Sequence, residues 1–166
     1  MSRAFAKDDG PDEPPVVAPR APLPAGVANY VTPRGLGLLR DEREALAAER
    51  AAADADHSDE AERSRTLSVL AARLTALNER LARVHLVEPR PSGTARFGAT
   101  VAFEQAGTAR TVTIVGVDEA DAAVGLVAFT APVARALTGK KAGDAATVQT
   151  AAGAEPVTVV AVSYGP

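Results

Sequence analysis

Leu67, Leu70, Leu74, Leu77, Leu81 and Val84 recur at alternating steps of three and four. That spacing lays one apolar seam along a helix, and a seam of that width needs a partner helix to cover it. Upstream, Leu39, Leu46 and Ala53 recur at steps of seven. Pairing Leu39 with Leu81, Leu46 with Leu74 and Ala53 with Leu67 centres every pair on residue 60. The pattern therefore predicts an antiparallel helical hairpin with its crown near Asp59 and Glu60. The first helix is expected over about 33–55, with Thr32 as N-cap, Pro33 at the first helical position and Gly35 and Gly37 weakening the first turn. The second is expected over about 59–84, with Ser58 as N-cap and acidic residues after it favoured by the helix dipole.

After Glu88-Pro89-Arg90-Pro91-Ser92-Gly93, which cannot continue a helix, the period changes from 3.5 to 2. Ala99 to Phe103, Thr111 to Val115, Leu126 to Phe129, Ala146 to Gln149 and Pro156 to Tyr164 read as strands. Pro132 to Leu137 reads as one short helix stopped by Gly139. The expected fold is α+β: an N-terminal antiparallel coiled-coil hairpin followed by a small antiparallel β domain with one short helix. The expected divisions are a disordered or loosely docked proline-rich tail over 1–29, the hairpin over 30–87, a linker over 88–96 and the β domain over 97–166. The tail holds six of the twelve prolines.

Composition narrows the chemistry. The chain has 166 residues, no Cys and no Trp, so disulfides, thiolate metal sites and cysteine catalysis are excluded. A net charge of −3 leaves no whole-chain footprint for nucleic acid. No apolar run approaches membrane-spanning length and the N-terminus is not signal-like, so a soluble, cytoplasmic protein without a membrane partner is expected. The charge that stands out is local: Asp54, Asp56, Asp59, Glu60 and Glu62 crowd the hairpin crown around His57 and Ser58. A stiff arm with carboxylates at its end is built to place negative charge, or a metal ligand, inside something else.

Several runs, in order, resemble one family. Asn29-Tyr30-Val31-Thr32-Pro33-Arg34-Gly35, Phe97-Gly98-Ala99-Thr100-Val101, Val115-Gly116 with Asp118-Glu119-Ala120-Asp121, Pro132 to Leu137 with Gly139-Lys140 and Gly143-Asp144, and Val157 to Tyr164 resemble the Gre-type bacterial transcript cleavage factors. The GreB-like branch is the most similar. The resemblance implies an FKBP-like C-terminal domain that binds the rim of the RNA polymerase secondary channel, and a hairpin that enters the channel, reaching nascent RNA only indirectly. It implies a monomeric factor, not an enzyme, whose tip carboxylates help hold a second Mg²⁺ of the polymerase active site while the polymerase cuts backtracked RNA. Asp59 and Glu60 are the tip candidates, with Asp56 and Glu62 second. Pro132, Arg135, Gly139, Lys140, Asp118, Glu119 and Asp121 are the implied docking or turn residues.

At the tip the resemblance is partial. The family's Asp two residues after a His survives as His57 and Asp59, but the Leu and Lys-Glu that follow do not. The arms also fall short of the family's by roughly two turns each, about 12 Å of reach. That leaves an alternative, a Rnk-like protein that occupies the channel without promoting cleavage. A third reading, a prolyl isomerase, suffers from too few aromatics in the β domain: Phe97, Phe103, Phe129 and Tyr164. Plainer readings stand beside these. The acidic tip is also what a solvated turn looks like, a lone exposed His57 is seldom a ligand, and Arg50, Arg63 and Arg65 fit flank positions of a coiled coil.

Overall fold

The computed structural model describes residues 20–165. The element order is β1 (Asn29–Val31), α1 (Pro33–Ala55), α2 (Glu60–Ala82), β2 (Val84–Leu86), β3 (Ala99–Gln105), β4 (Thr108–Val115), β5 (Leu126–Ala128), α3 (Pro132–Leu137), β6 (Ala145–Thr150) and β7 (Gly153–Tyr164). Of the expected tail, residues 1–19 lie outside the described residues, while Arg20 and Ala21 make contacts with the hairpin and the β domain, given below.

The helices of the hairpin are 23 residues each, about 35 Å long. Thr32 caps α1, its hydroxyl accepting from the Gly35 amide, and Pro33 opens the helix, as the sequence predicts. The register differs from expectation. The buried leucines are Leu39 and Leu46 on α1 and Leu70 and Leu77 on α2; Leu39 with Leu77, and Leu46 with Leu70, are each centred on residue 58. Leu74 and Leu81 flank this core and Leu67 stays outside it. The turn agrees with this centre: α1 ends at Ala55 with Asp56 as its C-cap and α2 is capped by Asp59, so the four-residue connection 56–59 is centred about two residues earlier than the heptad alignment. Ser58 is accordingly not the N-cap, and Val84 leaves the helix to form β2.

β1 and β2 pair in parallel, Asn29 with Val84 through Val31 with Leu86, and clip together the chain where it enters and leaves the hairpin. The β domain is a five-stranded sheet in the order β5-β4-β3-β7-β6. It is mixed rather than antiparallel, because β4 and β5 run parallel. Two short 3-10 turns, Val117–Glu119 and Ala122–Val124, carry the chain back far enough to permit a parallel return, which a tight turn cannot do. Phe103, Val101, Ile114, Val157 and Val159 of the sheet pack with Ala134 and Leu137 of α3 in a single core.

Candidate functional site

The tip is exposed throughout from Asp54 to Glu62, and Ala53 just below it is half-buried. Its carboxylates are not equivalent. Asp59 Oδ1 accepts from the Glu62 amide at 3.0 Å, satisfying one of the orphan donors at the start of α2. Asp56 Oδ1 accepts from the Ser58 amide at 2.9 Å. The Ser58 side chain and amide hold the Asp56 carboxyl below its ordinary 3.8. Glu60 is gripped by Arg63, whose Nη2 stands 2.8 and 3.0 Å from its two oxygens while Nε donates to Oε2 at 3.1 Å. That grip holds Glu60 below its ordinary 4.5. Arg63 Nη1 also donates to the Asp54 carboxylate at 3.1 Å and to its carbonyl at 3.2 Å, tying the end of α1 to the start of α2. Arg65 pairs with Glu62 at 3.1 Å.

Among the described residues no three His, Asp or Glu side chains are gathered to hold a metal ion. The tip offers hard oxygen donors suited to Mg²⁺, but few at once: Asp59 Oδ2 after capping, and Glu60 only when Arg63 lets go. It fits the part of a donor that lends one or two carboxylates to a site completed elsewhere, and it does not form a metal cage of its own.

The base of the hairpin reverses these conditions. Glu119, on the first 3-10 turn of the β domain, has a side chain only 3% exposed. It accepts from the Thr32 hydroxyl at 2.5 Å and from Arg34 Nη1 at 3.1 Å, with its negative charge at the N-terminus of α1. Gly35 belongs to this contact, since a Cβ there would lie 2.8 Å from Glu119 Oε2. The missing side chain explains a weak helix former in the first turn. Asp118 is 5% exposed and lies 3.2 Å from Arg80 Nε and 3.4 Å from Arg20 Nη2. The Arg80 contact is an ion pair without hydrogen-bond alignment, since Asp118 Oδ2 has no aligned donor. Tyr30 meets Phe129 and Phe97 at centroid distances of 5.4 and 6.1 Å, an aromatic seam between hairpin and β domain.

The expected docking residues therefore separate. The Asp118 and Glu119 carboxylates are buried and engaged inside the chain, 5% and 3% exposed, where they serve the turn and brace the hairpin base. Asp121 is exposed and caps the second 3-10 turn through the Ala123 amide at 3.0 Å. Pro132, Arg135 and Gly139 are exposed on or just after α3 and Lys140 is half-buried, with the Gly139 amide and Lys140 carbonyl bonded to Ala95. A groove of about 640 Å³ on the sheet, floored by Val112, Val127, Val133 and Val148, holds Phe103 as its one aromatic; Phe97 and Phe129 stand at the seam instead. The spacing of Arg63 three residues after Glu60 is legible in the sequence, whereas the parts played by Arg20, Arg34 and Arg80 depend on long-range contacts that no local pattern signals.

Fold and site together define an acid-tipped helical arm braced on a small β domain. Residues 90–164 match the family described as Transcription elongation factor, GreA/GreB, C-term. The chain is 34% identical over 152 residues to the transcription elongation factor GreA of Methylococcus capsulatus, covering 81% of this chain and 96% of that one. It is 41% identical over 101 residues to GreA of Hyphomonas neptunium, where the match takes in 58% of this chain and 64%, just under two thirds, of that one. Among solved structures, GreA factor homolog 1 (Gfh1) of Thermus thermophilus is 21% identical over 82% of this chain and 99% of its own, with a TM-score of 0.39; an overlay that loose identifies nothing further. The chain belongs to the GreA/GreB family of transcription elongation factors.

Proposed function

We propose that this protein acts on bacterial RNA polymerase during elongation, with the β domain seated at the rim of the secondary channel and the hairpin inserted so that its tip approaches the active centre. The observation that carries this reading is the exposed carboxylate tip at the far end of an arm about 35 Å long, in a chain of this family. Asp59 and, once released from Arg63, Glu60 would hold the second Mg²⁺. That ion, when bound, supplies charge stabilisation for the attacking and leaving oxygens in phosphodiester hydrolysis. Asp59 is rigidly set by its capping bond, Asp56 and Glu62 add negative potential, and Pro132, Arg135, Gly139, Lys140 and Asp121 supply the rim contact. The protein itself is not an enzyme on this reading; it lends groups to the polymerase and touches nascent RNA only there. The entry residues Asn29 to Gly35 favour the GreB-like branch.

A second reading, occupation of the channel without cleavage, has an observation in its favour. Glu60, one of the two tip candidates, is held on both oxygens by Arg63, which leaves it engaged within the chain. One assay separates the two. A stalled, backtracked elongation complex is given the protein or its Asp59→Asn/Glu60→Gln variant, and the RNA 3′ end is followed. Asparagine still caps the helix, so loss of shortening in the variant reports charge. Shortening by the natural protein alone supports cleavage; binding without shortening supports occupation; absence of binding rejects both.

A further inference from the structure

Four distant segments meet at one cluster of charge beside the hairpin base. Arg20, ahead of β1, places Nη1 and Nη2 at 2.8 and 3.0 Å from the two oxygens of Glu42 on α1, and Nη2 at 3.4 Å from Asp118 of the β domain. Arg80, in the last turn of α2, adds its ion pair to Asp118 and donates from Nη2 to the Ala21 carbonyl. Arg80 and Asp118 are 10% and 5% exposed, where pairs are little screened by salt. Two guanidiniums and two carboxylates balance.

The other contacts between arm and β domain described above, the Tyr30 seam and the Glu119 grip, engage residues 30–35. A short stretch of this kind is a pivot. Glu42 lies seven residues beyond Gly35, about 10 Å further along α1, so a tie there resists rotation about the pivot. The leverage is large: a swing of about 10° at the base would move the tip, about 35 Å away, by roughly 6 Å, more than catalytic geometry tolerates.

We propose that Arg20 is a positioning residue, the buckle of an N-terminal strap that joins α1, α2 and the β domain and fixes the direction in which the arm points. The consequence for cleavage rests on the function proposed above; the strap itself does not. Arginine suits the place because its planar fork spans two carboxylates at once, which lysine cannot do.

The chain has no cysteine, so Ser58→Cys at the tip and Ala151→Cys in the β6–β7 turn accept nitroxide labels cleanly. The spread of the label-to-label distance is then read by pulsed electron resonance in the full chain. The labelled protein is expected to give one narrow distribution. Arg20→Gln should widen it about twofold and Arg20→Lys by less, with helical circular dichroism unchanged in both. An unchanged width in Arg20→Gln overturns the strap. In the backtracked-complex assay, Arg20→Gln should slow RNA shortening about fivefold at saturating protein and leave the half-saturating concentration within about twofold. A widened distribution with undiminished shortening overturns the positioning role. A widened distribution in a protein that never shortens RNA upholds the strap and rejects the cleavage reading.

Discussion

The two ends of the hairpin are built from the same residue types and do opposite things. At the tip, Asp54, Glu60 and Arg63 pair in water, with Asp54 and Glu60 side chains 70% and 74% exposed. At the base, Arg80 and Asp118 pair at 10% and 5% exposure, and the Glu119 carboxylate, 3% exposed, takes its ion pair from an Arg34 that reaches solvent. Exposed pairs gain little and exchange freely with other partners. Buried pairs are costly to break, because the survivor is left charged and unsolvated. An acidic residue at the base is thus committed to holding the arm, while one at the tip stays available for a ligand from outside.

That contrast can be broken most severely at the base. Glu119→Ala strands the buried Thr32 hydroxyl and leaves a void under α1, while Arg34, 61% exposed, stays solvated; a loss of about 2–3 kcal/mol is expected in urea unfolding, and a loss near zero would argue against a buried brace. Gly116→Ala comes next. Its Cβ would sit 2.6 Å from the Tyr30 carbonyl oxygen, backbone that cannot step aside, so about 2 kcal/mol should be lost. Thr32→Ala removes both a cap and a donor to Glu119 and should cost about 1–2 kcal/mol in the same measurement.

At the tip the same kind of change should leave stability untouched. Arg63→Gln is expected to melt with the natural protein, while freeing Glu60 to titrate closer to its ordinary 4.5 in a carboxyl NMR titration. The smallest effect is in pH. Asp56 and Glu60 have folded values lowered by Ser58 and Arg63. Their contribution is therefore fully present above the unfolded values and is lost only as pH falls through the lowered ones. Thermal midpoints should be flat on this account from neutrality down to the ordinary carboxylate range. A decline beginning well above that range would place a stabilising titration elsewhere.

Much of this contrast is legible in the chain before any coordinates. Steps of three and four mark the arm, Thr32-Pro33 marks where α1 begins to the residue, and the change to period 2 marks the β domain. The register is not legible, because Leu67, Leu74 and Leu81 form as good a seven-residue series as Leu70 and Leu77. Only the structure, with its caps at Asp56 and Asp59, shows which pair of leucines is buried. Nor is the fate of the acidic residues legible: Asp118-Glu119 and Asp59-Glu60 are alike as sequence. What separates them is a β domain folding onto Thr32, Gly35 and Arg80 from residues far along the chain. The parallel pairs β1–β2 and β4–β5 depend on the same long-range closure, so the periodicity of each strand is silent about its direction.

On the function proposed above, this arm delivers its tip to the polymerase active centre. An iron chelate tethered at Ser58→Cys, in a chain otherwise free of cysteine, reports that location directly in a stalled, backtracked complex. Hydroxyl-radical scission of the RNA near its 3′ end is the predicted result. Scission confined to the outer surface of a polymerase that binds the protein normally would contradict it.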